Sequence, residues 1–167
     1  MMKKINILAL ITLLISVSSI SCAQTRLSKD EFEVSNFTAI KSSVVANIEV
    51  RQAAQTSVTA EGSEALLDML EVKMDNETLV FEREDRLMKR IRNRSNKLTI
   101  YVSTPNLTYI DSEGVGNIVI KGNFDTPELV IKSEGVGNIN ADYLHAGKVK
   151  IDSEGVGNIS IEGSAER

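Results

Sequence analysis

The sequence predicts an all-β fold: a parallel β-helix-like solenoid with coils of about 20 residues, plus N-terminal strands, a hairpin and one short helix. Three observations carry that expectation. The heptapeptide Ser-Glu-Gly-Val-Gly-Asn-Ile occurs unchanged at 112–118, 133–139 and 153–159, at spacings of 21 and 20 residues. Apolar residues alternate on both sides of each copy, with Thr108/Ile110, Leu129/Ile131 and Val149/Ile151 before it. Ile118/Ile120, Ile139/Ala141 and Ile159/Ile161 follow it, so a strand is expected on each flank. The paired glycines (Gly114 and Gly116, Gly135 and Gly137, Gly155 and Gly157) permit a sharp corner, where Val115, Val136 and Val156 are expected to point inward. Gly122, Gly147 and Gly163 are read as further corners.

From the N-terminus, Lys3 and Lys4 precede an apolar run from Ile5 to Val17, followed by small residues. That is the layout of a secretory signal over residues 1–22, and the run is short for a membrane-spanning helix. Cleavage after Ala23 fits the small-x-small rule, and the segment Ser19–Cys22 also resembles a lipobox that would make Cys22 a lipidated first residue. Both lead to the cell envelope or beyond: outer-membrane lipoprotein, periplasm or cell surface. Residues 23–31 are expected to be a polar tether, and 32–167 a single domain.

In that domain Phe37–Ile40, Val44–Val50 and Thr56–Glu61 read as strands. Ser63–Leu70 reads as a helix capped by Ser63, with Leu66, Leu67 and Leu70 on one face. Val72–Met74 and Leu79–Glu82 form a hairpin around Asp75 and Asn76. Leu98–Ser103 is a strand stopped by Pro105. Arg83–Lys97 between them is rich in cations. Arg86, Lys89, Arg90, Arg92 and Arg94 could hold an anion such as lipopolysaccharide phosphate or an acidic glycan. A solvated loop is the preferred reading, because no aromatic residue interleaves the charges.

Stacked corners would set Glu113, Glu134 and Glu154 in a column, each neighbouring pair costing about 0.8 kcal/mol in water. Lys132 or Lys121, splay of the side chains, or a Ca²⁺ ion would offset that. Solvated carboxylates are preferred to a calcium site, so no metal and no cofactor is expected. Asn117, Asn138 and Asn158 are expected to form an internal amide ladder.

Composition narrows the function. One Cys excludes a disulfide framework, and one His, His145, excludes His-pair metal ligation. Without Lys3 and Lys4 the count is 17 basic against 23 acidic side chains, a net −6, which argues against nucleic acid. Asp111, Glu113, Asp152 and Glu154 are the only carboxylates stacking would cluster, and they recur with the heptapeptide instead of differing in environment as an acid–base pair must. Ser112, Ser133 and Ser153 lack a matching base. No catalytic residue is therefore assigned.

Phe37–Ile40, the strand Ile48–Gln52, Leu98–Leu107 with Pro105, and the three Gly-x-Gly-Asn-Ile corners resemble the head GIN domain family of auto-transporter adhesins in Gram-negative envelopes. The resemblance spans roughly residues 32–163. It implies a right-handed solenoid, export, and an adhesion or surface role without a catalytic motif. The expected function is a non-enzymatic binding module that contacts an envelope or extracellular macromolecule or glycan through its sheet surface. The alternatives are a scaffold pairing end to end, as a homo-oligomer through an uncovered last coil at Ile159–Ile161, and an enzyme acting on polysaccharide.

Overall fold

Period-two alternation of apolar and polar residues builds the strands, and the buried set alternates with it. The computed structural model describes residues 27–84 and 97–165. Its elements are β1 (Ser28–Phe32), β2 (Ala39–Ser42), β3 (Asn47–Gln52), β4 (Ser57–Gly62), α1 (Glu64–Leu67), β5 (Leu70–Asp75) and β6 (Thr78–Arg83). They continue as β7 (Thr99–Thr104), β8 (Tyr109–Ser112), β9 (Ile118–Lys121), β10 (Phe124–Ser133), β11 (Ile139–Ser153) and β12 (Ile159–Ala165). The expected tether is partly strand, since β1 pairs antiparallel with β4 from Ser28↔Gly62 to Phe32↔Val58. The helix is one turn, shorter than expected. Ser63 sits at its N-cap without a side-chain bond, and its carbonyl accepts from Leu66 and Leu67.

All twelve strands join one sheet, ordered β1-β4-β7-β3-β9-β11-β10-β8-β2-β6-β5, with β12 beside β11. The sheet turns back at β11, where Ile139–Ala141 pair with β9 and Leu144–Ser153 pair with β10. Two limbs thus face one another and nearly close a barrel. Ile40, Phe81, Ile110 and Ile131 come to the shared core from one limb, and Ile48, Val50, Ile100 and Ile120 from the other.

This overturns the solenoid. The pairings that flank the heptapeptides are parallel, but β5–β6, β1–β4 and β4–β7 are antiparallel. The N-terminal strands also enter the sheet instead of preceding it: β2 lies between β6 and β8, and β3 between β7 and β9. The heptapeptides cover only the last part of the chain, and an alternating strand such as β3 offers the same edge to a parallel or an antiparallel neighbour. Two assigned corners also fail, because Gly147 lies inside β11 and Gly163 inside β12. Gly122 does turn the chain between β9 and β10, at φ +75°.

Candidate binding face

The three heptapeptides share one lateral register. Parallel bridges join Val45 to Val115, Val115 to Val136, and Val136 to Val156. The backbone is continuous along this line. The Val115, Val136 and Val156 amides donate to Val44, Gly114 and Gly135, and those of Ala46, Gly116 and Gly137 to Val115, Val136 and Val156, all at 2.9–3.0 Å. A Cβ at Gly114, Gly135 or Gly155 would run into the carbonyl oxygen of Val44, Gly114 or Gly135. The glycine positions therefore face the preceding corner, and the residue between them faces water. Val45, Val115, Val136 and Val156 are 51%, 47%, 51% and 71% exposed, so the expected inward valines form an outward ridge.

A fourth corner takes part that the sequence reading missed. Ser42–Ile48 reads Ser-Ser-Val-Val-Ala-Asn-Ile, a glycine-free version of the heptapeptide in which Ser42, Val45, Asn47 and Ile48 keep their places. The pairings Ser42↔Ser112 and Ile48↔Ile118 confirm the alignment. At this end the ridge meets a largely apolar hollow of about 250 Å³, lined by Val44, Val45, Leu66, Met69, Leu70 and Leu98 together with Arg83.

Amides flank the ridge on one side. Asn47 Oδ1 accepts from the Asn117 amide (3.1 Å), Asn117 Oδ1 from that of Asn138 (3.0 Å), and Asn138 Oδ1 from that of Asn158 (3.1 Å). This ladder is exposed, not internal, and Asn47 adds a member. Carboxylates flank the other side. Glu113 accepts from Lys41 Nζ at 2.7 Å and Glu134 pairs with Lys132, while Lys121 goes to Glu49 at 2.7 Å. Of the two lysines expected to offset the column, Lys132 does so at Glu134 and Lys121 does not; Lys41, the partner of Glu113, was not foreseen because the pairing of β2 with β8 has no local signal. Among the described residues no group of three or more His, Cys, Asp or Glu side chains converges.

Asp111 stands between Lys41 and Lys132 in register, 3.7 Å from Lys41 Nζ, and is largely buried with one oxygen unbonded among the described residues. Asp152 is next in that row and is exposed. His145 lies in β11 rather than in a turn, with Nδ1 2.6 Å from Ser164 Oγ on β12. Arg86, Lys89, Arg90, Arg92 and Arg94 of the proposed anion patch, and Cys22, lie outside the described residues.

The hydrogen bond and charge of Lys132 hold the Glu134 carboxyl below its usual 4.5. Lys41 and Lys132 are raised above 10.5, chiefly by hydrogen bonds to Glu113 and Glu134. A depressed carboxylate contributes stability above its unfolded value and loses it as pH falls through the folded one. A raised lysine contributes below 10.5 and loses it as pH rises through the folded value. The melting temperature should therefore be flat between about pH 6 and 9 and fall on either side. Lys132→Ala should shrink the fall on the acid side; an acid limb unchanged in a pH series of melting curves would exclude the pair as its source.

Several known proteins are similar to this chain. A family described as "Putative auto-transporter adhesin, head GIN domain" matches residues 36–167. The crystal structure of "a putative adhesin" from Bacteroides fragilis superposes with a TM-score of 0.79 at 29% identity, over 85% of this chain and 65% of that one. A second "putative adhesin", from Parabacteroides merdae, gives 0.69 at 16% identity over 81% of this chain and 56% of that one. A "Putative lipid binding protein" from Parabacteroides distasonis gives 0.52 at 16% identity over 83% and 72%. The chain thus spans less than two thirds of the length of the two adhesin structures. A comparison with curated proteins finds no match.

Proposed function

Since the chain belongs to the head GIN domain family, matched over residues 36–167, we propose that it is a non-enzymatic, exported surface protein that holds an extracellular partner on its valine ridge. The observation that carries this reading is the line of four half-exposed valines on contiguous backbone. Stacked corners set the four positions in a row, and their outward direction leaves apolar side chains in water. Covering a Val side chain releases on the order of 1–2 kcal/mol, so four in line supply useful affinity for an extended polymer. Amides on one flank and carboxylates on the other supply orientation. The partner class is an envelope or extracellular macromolecule or glycan. Residues 1–22 serve as the export signal, with Cys22 the candidate anchor, and mass spectrometry of the mature N-terminus separates lipidation from cleavage after Ala23.

The test is binding to an array of glycans and envelope extracts. Val115→Glu/Val136→Glu should lose at least about ten-fold in affinity with its melting temperature nearly unchanged, ten-fold being about 1.4 kcal/mol. Binding that survives the double variant would remove the ridge from the site. Turnover of an acidic polysaccharide by the wild type would overturn the non-enzymatic reading.

A further inference from the structure

We infer that the partner of the ridge is an uncharged glycan of equatorially linked pyranose residues, lying lengthwise along the corners with one sugar to each. The inference rests on the reading of the ridge as the contact surface, and it names the chemistry which that surface selects.

The corners repeat a set of three groups. The corners at 113–117 and 134–138 each carry a carboxylate, an outward valine and an amide in the same order: Glu113, Val115, Asn117 and Glu134, Val136, Asn138. Each of these two corners has another on both sides. The exposure of their valines therefore comes from the direction of the side chains and not from a missing neighbour. Each Asn amide has two N–H groups, and one is spent on the ladder: Asn117 Nδ2 donates to Asn47 Oδ1 at 3.4 Å and Asn138 Nδ2 to Asn117 Oδ1 at 3.2 Å. The second N–H has no acceptor among the described residues. Glu113 and Glu134 each hold a lysine, and a carboxylate has acceptor positions beyond that one bond. One corner thus offers a donor, an apolar centre and an acceptor across its width. The next corner offers them again one strand spacing on, roughly 4.8 Å.

A sugar ring whose hydroxyls and linkages are all equatorial matches that set. Its two faces are C–H and its rim is hydroxyl, and a hydroxyl both accepts from an amide and donates to a carboxylate. In a chain linked through equatorial positions each ring advances by about one strand spacing, so ring follows valine in register. An extended peptide is out of step, because side chains on one of its faces recur about every 6.6 Å. Charge turns acidic glycans away. Glu113, Glu134 and Glu154 outnumber their lysines Lys41 and Lys132, so a polyanion meets a flank of its own sign.

The experiment is titration of the purified chain, expressed from its full sequence, with four hexasaccharides, read by calorimetry and by NMR. Cellohexaose and chitohexaose, both neutral and β-1,4-linked, should bind saturably. The β-1,4-linked hexamer of glucuronic acid, which differs from cellohexaose only in its carboxylates, should bind at least ten-fold more weakly. So should maltohexaose, whose axial linkage curves the chain away from the ridge. Binding should shift the backbone amides of Val115 and Val136 and the side-chain NH₂ signals of Asn117 and Asn138. Glu113→Gln/Glu134→Gln should abolish the preference over the glucuronic acid hexamer. Circular dichroism establishes that this variant is folded, and raised salt on the wild type, which screens the same charges, substitutes for it if it is not. No binding of either neutral hexamer, equal binding of all four, or shifts confined to other residues would overturn the inference. The failures separate. A partner other than a neutral glycan, lost in Val115→Glu/Val136→Glu, overturns this inference and leaves the ridge as the site, whereas cellohexaose binding that survives that variant removes the ridge and the inference with it.

Discussion

Gly137→Ala should cost about 3–5 kcal/mol of stability, among the largest losses a single methyl can cause in this chain. Two effects add. Gly137 has φ +152°, a backbone region that residues with a Cβ rarely adopt. An added Cβ would also strike the carbonyl oxygen of Gly116 in the preceding corner. That carbonyl belongs to backbone, so relief requires two corners to separate, at the expense of the bonds from the Gly116 amide to Val136 and from the Val136 amide to Gly114. Gly122→Ala is the matched control, with φ +75° and nothing within 4 Å of a new Cβ. It carries the backbone strain alone, roughly 1 kcal/mol. Urea unfolding at constant slope reads both. Equal losses at the two sites would show that the corners are not in backbone contact.

Ile110→Ala should cost about 3–4 kcal/mol and Val115→Ala less than about 0.5, although the residues are five apart and equally apolar. Ile110 is 0% exposed and lies between Ile40 and Ile131 in the register of β2, β8 and β10. Its loss leaves a cavity that strands on both sides hold open. Val115 is 47% exposed, and its truncation removes little contact. The same unfolding experiment separates them. A Val115→Ala loss near that of Ile110→Ala would return the valines to the core and take away the ridge.

These two contrasts mark what could be read from sequence. The hairpin of β5 and β6 was legible because Asp75-Asn76 punctuates two alternating runs, and Asn76 turns the chain there at φ 54°. The inward side chains of β9 and β10 were legible from alternation alone, as were the three glycine corners. The valines were misread because an apolar residue between strands defaults to the core. Here backbone contact between corners decides, and it turns the valine out. The fourth corner was hidden because Val44 and Ala46 stand where the others have glycine. Val44 lies beside Leu98 and the apolar hollow instead of against an earlier corner, so a side chain fits there. The barrel was not legible either, because β2↔β8 and β3↔β9 are long-range pairings that leave no local pattern. Of the binding face, the sequence revealed the glutamate and asparagine columns but not the ridge between them or Lys41 beside Glu113.

The N-terminal strands β2 and β3 are interior members of the sheet that carries the heptapeptides. Consecutive amides of β3 state it most simply: Asn47 donates to Leu98 at 2.9 Å on one side, and Ile48 to Asn117 at 2.8 Å on the other. Scalar couplings transmitted through hydrogen bonds, read by long-range amide–carbonyl NMR, detect such pairs directly. Cross-peaks are expected from the Asn47 amide to the Leu98 carbonyl and from the Ile48 amide to that of Asn117. Cross-peaks confined to the segments around 112–118, 133–139 and 153–159, with β3 unpaired to Asn117, would contradict it.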